Sequence, residues 1–182
     1  MKILLTILLA AGLASAATTK PPVNAEVLKV KLPHAKEAVL ANGLRLLVLE
    51  GYNQLPVFTL QIVILSGGLS DPPEHRGIAN FTAAMLKEGT ATRSSRELAD
   101  QLATLGVTLN ADSGLSTFTT NITATGLSKN LDPALAIIAD VVRHASFPAD
   151  EFDKYKSRTV SQLQLQHSNP EFLAQERLSR AI

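Results

Sequence analysis

The sequence of 182 residues contains no cysteine. Without thiols the chain forms no disulfide, carries no thiolate nucleophile and offers no Cys-ligated metal site, which removes several enzyme classes together. It also lacks a block of like charge. Lys and Arg number 17 against 16 Asp and Glu, a formal net charge of +1 at pH 7, so no basic surface for nucleic acid or an anionic membrane is implied. Histidine is scarce, with 4 in all. His34, His144 and His167 stand alone, and His75, beside Glu74 and Arg76, belongs to a solvated loop. Internal repeats and low-complexity tracts are missing. Past residue 13, no apolar run approaches the roughly 20 residues that a membrane-spanning helix needs.

What is present begins with Lys2, an apolar run from Ile3 to Leu13, and Ala14-Ser15-Ala16. A charged start, a short apolar centre and an A-x-A end, in that order, read as a secretory signal peptide over residues 1–16. The mature chain is expected to begin near Ala17 and to be exported, most simply to a Gram-negative periplasm. Loss of Lys2 brings its formal charge to zero. The remainder is enough for one domain with a core and short for two. Residues 17–37, rich in Pro, Lys and Ala, read as an extended lead-in, and residues 38–182 as the domain.

Hydrophobic period supplies the elements. Asn42-Gly43 suits the positive φ of a tight turn, between apolar runs at 39–40 and 44–49 that read as a strand pair. Residues 56–65 are almost all apolar, which suits a strand buried on both faces, and Gly67-Gly68 ends it. Ile78, Phe81, Met85 and Leu86 recur at helical spacing over about 77–88, stopped by Gly89. Ser94-x-x-Glu97 is a capping box for a second helix, with Leu98, Leu102 and Leu105 on one face and Gly106 beyond its end. Residues 107–111 and 116–125 alternate as a hairpin across Ser113-Gly114. Leu131, Leu135, Ile138, Val141 and Val142 mark a third helix, residues 152–166 a fourth, and Asn169-Pro170 a fifth that is still helical at Ile182, as in a domain incomplete at its C-terminus. The order implies an α+β fold, a mainly antiparallel sheet with helices packed on one face.

The segment from Gly77-Ile78-Ala79-Asn80-Phe81 through Ala83-Ala84-Met85-Leu86 to Gly89-Thr90 resembles the signature helix of the pitrilysin/insulinase family of inverted-motif zinc peptidases. Typical members read G-x-A-H-F-x-E-H-M-x-F-x-G-T there. Leu40-Ala41-Asn42-Gly43-Leu44, Gly106 with Asn110-Ala111, and Phe147-Pro148 with Phe152 extend the resemblance in the same order over roughly 39–180. In active members the two His of H-x-x-E-H bind zinc from one helix face, the intervening Glu takes a proton from the metal-bound water, and a Glu from a later helix completes the ligands. Carried across residue by residue, the first His becomes Asn80, the Glu becomes Ala83 and the second His becomes Ala84. The distant Glu becomes Gln162, or less well Ser161. An amide oxygen is a poor zinc ligand and alanine none at all, so neither metal nor independent catalysis is expected.

The resemblance then implies a non-catalytic partner of a ligand-bearing peptidase of the same family, one that helps to hold an extended peptide. Val107, Leu109, Asn110 and Ala111 form the candidate edge strand for pairing with that peptide. A zinc endopeptidase in its own right, and a scaffold subunit of a larger assembly, are the alternatives.

Overall fold

The structure is a computed structural model and describes residues 34–51 and 55–181. The expected signal peptide and the start of the lead-in lie outside the described residues. The chain divides into two compact units, Met1–Gln54 and Leu55–Ile182.

In the first unit, β1 (Lys36–Val39) and β2 (Arg45–Val48) pair antiparallel, from Lys36 opposite Val48 to Val39 opposite Arg45. Gly43 alone of the Asn-Gly pair takes a positive φ, 85°. Asn42 instead uses its side chain, whose Oδ1 accepts from the Leu44 N–H at 3.1 Å, the local bond that favours Asn in turns.

In the second unit, β3 (Val57–Ile64), β4 (Thr108–Ser113) and β5 (Thr120–Leu127) form an antiparallel sheet in the order β3-β5-β4. Among the described residues the α-helices are α1 (Ile78–Met85), α2 (Ser95–Leu105), α3 (Leu131–His144), α4 (Ala149–His167) and α5 (Pro170–Ala181). The register places Ile62 opposite Ile122 and Leu60 opposite Ala124. Leu109 opposes Ala124 and Ala111 opposes Ile122 from the other side. Successive strand residues alternate between faces, so one face is apolar and the other carries Thr59, Gln61, Asn121, Thr123 and Asn110. The apolar face meets Leu98 of α2 and Ile137, Ile138 and Val141 of α3, with Phe58, Leu60 and Ile62 packed against that core. This is the expected α+β arrangement.

Several expectations are corrected. The strand at 56–65 is not buried on both faces: Val57 and Val63 are exposed, because helices cover only one side of the sheet. The strand expected at residue 116 begins at Thr120, and residues 114–119 form a loop. Thr117 Oγ1 donates to the carbonyls of Gly114 and Thr119, turning the chain on itself instead of extending it. Val107 stands before β4 and is buried, its N–H donating to Leu102 O at 2.9 Å. Ile78 is half exposed and not core, and the buried stripe of α3 is Ala134, Ile137, Ile138 and Val141, with Leu135 and Val142 turned outward. The helix α4 starts at Ala149, earlier than expected, because Asp150 and Glu151 suit the positive end of the helix dipole just after Pro148.

The capping box forms as read. Ser94 Oγ accepts from the Glu97 N–H, and Glu97 Oε2 accepts from the Ser94 N–H at 2.9 Å. The Ser94 backbone bond, followed by the Ser94 hydroxyl, holds the Glu97 carboxyl below its ordinary value. Gly106 ends the helix with φ 61°, the left-handed conformation that glycine adopts without strain.

Candidate functional site

The helix α1 is short and its start is fixed from outside. Gly77 enters at φ 96°. The Asp71 carboxylate then accepts from two of the helix's first N–H groups, Gly77 at 2.7 Å and Ala79 at 3.1 Å. A carboxylate at that end satisfies donors the helix leaves open and opposes its dipole. At its other side α1 lies against β4 and β5. Asn80, one turn in, donates from Nδ2 to the carbonyl of Ser113 at 2.7 Å, so the helix is clasped to the end of β4. The Ser113 hydroxyl beside that carbonyl is buried without a hydrogen-bond partner among the described residues.

In the sheet, β4 has β5 on one side and no strand on the other among the described residues. A cleft of about 310 Å³ opens beside it, lined on α1 by Asn80 and Ala84 and on β4 by Ala111. Asn80 and Ala84 share a face because they are four residues apart on a helix. Across the cleft stand Tyr155 and Arg158 of α4, with Lys87 just past the end of α1. An aromatic chain sets this wall. Phe81 meets Phe152 with ring centroids 5.7 Å apart and Tyr155 edge-on at 4.9 Å. The guanidinium of Arg158 lies over the Tyr155 ring, 5.8 Å from its centroid.

The family model for insulinase, peptidase family M16, matches residues 47–182. The chain belongs to the insulinase family. A relative from Rickettsia bellii named an uncharacterized zinc protease is 30% identical over 145 residues, 79% of this chain and 34% of the relative. The uncharacterized zinc protease YmxG of Bacillus subtilis is 29% identical over 146 residues, 80% of this chain and 35% of YmxG. Among solved structures, a peptidase M16 inactive domain from Pseudomonas fluorescens superposes with a TM-score of 0.69 at 28% identity, covering 78% of this chain and 34% of that one. The chain thus spans about a third of the length of the insulinase relatives it matches.

The family resemblance sets Asn80 and Ala84 at the positions of the two zinc-binding His, and both line the cleft. It sets Ala83 at the position of the catalytic Glu, and Ala83 is buried at 1% exposure and does not line the cleft. Gln162 lies on α4 one turn beyond Arg158, exposed, and is not among the lining residues. These residues do not fit zinc. One amide already donating to a carbonyl, two methyl groups and an exposed amide supply no imidazole, thiolate or carboxylate, and among the described residues no three His, Asp or Glu converge elsewhere. Of the candidate peptide-pairing residues, Leu109, Asn110 and Ala111 lie on β4, Leu109 being buried in the core and Asn110 exposed. Val107 lies outside the strand.

Two features, one at the cleft and one outside it, were missed from sequence. One is the cationic wall: Tyr155 and Arg158 follow Phe152 at three-residue steps, a helical stripe visible in sequence, but its facing Lys87 sits on a remote segment. The other is Asp140 of α3, whose side chain is 12% exposed. Its carboxylate pairs with Arg93 and accepts from the Thr92 hydroxyl at 3.1 Å, and Oδ1 meets His144 Nδ1 at 3.0 Å. This hub ties residues 90–93, the exit from α1, to α3. The Thr90 hydroxyl above all, then His144, Thr92 and Arg93, hold the carboxyl far below its ordinary value against the opposing effect of burial. A group with a depressed folded value stabilises above its unfolded value and loses that contribution as pH falls. Asp140→Asn should therefore melt below wild type at neutral pH, with the gap narrowing as pH drops below the ordinary Asp value of 3.8. Thermal melts of both proteins across the acid range check this, and a gap independent of pH would contradict it.

Proposed function

We propose that this chain is the non-catalytic member of an exported peptidase assembly. It holds an extended peptide along β4 while a ligand-bearing relative of the same family cuts it. The observation that carries the reading is the pairing of a kept scaffold with lost chemistry: α1 stays clasped to a sheet edge that is unpaired among the described residues, and Asn80, Ala83, Ala84 and Gln162 are not zinc donors. An open strand edge offers a row of N–H and C=O groups to any extended chain, a sequence-tolerant mode of binding. The inactive M16 domain among the similar structures supports the reading by kinship. Export follows from the pattern of residues 1–16, and a periplasmic site of action fits it.

The expected results are that purified protein carries zinc well below one ion per chain and leaves an unfolded peptide uncut. Added to a ligand-bearing relative, it should co-elute with it and raise its rate of cleavage. Near-stoichiometric zinc with chelator-sensitive cleavage by this chain alone would favour the zinc endopeptidase instead. Co-elution without any gain in proteolysis would favour a scaffold subunit.

A further inference from the structure

We propose that the cleft beside β4 is a carboxylate-binding subsite, in which Arg158 and Lys87 take an acidic group of the peptide paired on that strand. The inference rests on the peptide-binding reading given above and names the chemistry that the peptide must carry. Neither Arg158 nor Lys87 has an ion-pair or hydrogen-bond partner among the described residues. Two acidic residues also border the cleft, Glu88 and Asp112. Glu88 is engaged elsewhere, accepting from the Ser95 hydroxyl at the start of α2 at 2.9 Å. Asp112 alternates with Ala111 and Ser113, whose side chains turn to the helices, so its carboxylate belongs to the opposite, open face. On the helix side, Lys87 and Arg158 therefore outweigh Glu88, which keeps its charge, by a single positive charge.

Geometry adds preorganisation. Arg158 is exposed, but its guanidinium lies over the ring of Tyr155, which in turn meets Phe81, the neighbour of Asn80. A guanidinium held in place loses less freedom on binding and presents its planar fork to a carboxylate. Ala84 contributes by its size, since a methyl group leaves open the space that a larger residue at that turn would fill. Asn80 is committed to Ser113, and so the anion's contacts come from the far wall. Because Ala111 and Asp112 contribute to the rim, a peptide pairing along β4 passes the mouth of the cleft, and either a Glu side chain or a terminal carboxylate can enter it.

The test uses the full chain and fluorescently labelled Thr/Val-rich peptides identical except at two points. One has an internal Glu and an amidated end, a second an internal Gln and a free C-terminus, and a third an internal Gln and an amidated end. Binding is read by fluorescence anisotropy. The expected result is about tenfold tighter binding of a carboxylate-bearing peptide than of the third, the size of one charge-assisted contact. The first peptide winning assigns the subsite to side chains, and the second assigns it to chain ends. In Arg158→Gln and Lys87→Gln, both exposed positions whose folding is checked by thermal melts, the preference should disappear. Equal binding of all three peptides overturns the subsite and leaves peptide binding standing. Binding of none overturns both.

Discussion

Replacing Ala83 by glutamate, the residue that the family resemblance implies for that position, is expected to lower the unfolding free energy by at least about 3 kcal/mol. Ala83 is 1% exposed, on a helix that lies against β4 and β5. A longer side chain there must displace packed neighbours, which costs about 1–3 kcal/mol. Its carboxylate would also leave water for a place with no cation to meet it, a cost of several kcal/mol that the group avoids only by taking up a proton. Ala83→Gln separates the two contributions, having the volume without the charge. The buried carboxyl's folded value would be raised, so its penalty is full at neutral pH and shrinks as pH falls. The Glu and Gln variants should then converge in acid. By contrast, Asn80→His and Ala84→His face the cleft, and each should cost about 1 kcal/mol or less, the scale of one hydrogen bond. Denaturant melts measure all four. An Ala83→Glu protein as stable as wild type would mean that α1 can turn this position outward, and that the site could regain its chemistry by substitution alone.

Truncating Ile138 to alanine should cost about 3–4 kcal/mol, within the usual range for emptying a packed core. Ile138 is 2% exposed and belongs to the cluster shared by α2, α3 and the apolar face of the sheet. Leu98→Ala, at 1% exposure in the same cluster, should behave alike. Leu135→Ala is the control: it lies on the same helix but outward, at 39% exposure, and should cost well under half as much. Equal losses at 135 and 138 would show that α3 buries a different face from the one described.

Sequence was a sufficient guide at the ends of α2. Ser94 with Glu97 and Gly106 announced both ends of α2 because capping is local chemistry, settled within a few residues. The faces of the sheet were not local. Val57 and Val63 look as apolar as Phe58 and Ile62, and only the placement of the helices decides which set is covered. The stripe of α3 slipped for a related reason, since Leu135 and Val142 fit a helical period as well as Ala134 and Ile137. At the site, the resemblance set Asn80, Ala83 and Ala84 on one helix, and the structure brings Asn80 and Ala84 to the cleft. What else lines the space could not be read from sequence, because Lys87 and Arg158 come from separate elements and meet only after Phe81 has seated α4. Asp140 escaped for the same reason: its partners Thr90, Thr92 and Arg93 reach it from the other end of the intervening hairpin.

The strand order β3-β5-β4 also sets a timetable. Gln61 bonds Asn121 across a separation of 60 residues, and every pairing between β3 and β5 closes a comparable length of chain, whereas β4 and β5 pair locally. Loop closure of that length must be met before the pairing repays it, which slows folding relative to helical packing. During synthesis, β3 emerges with its apolar face ready and waits through α1, α2 and β4 until β5 arrives. Until then Phe58, Leu60 and Ile62 have no sheet to join, and this nascent chain is most exposed to aggregation, or to capture by a chaperone, in the interval before residue 127.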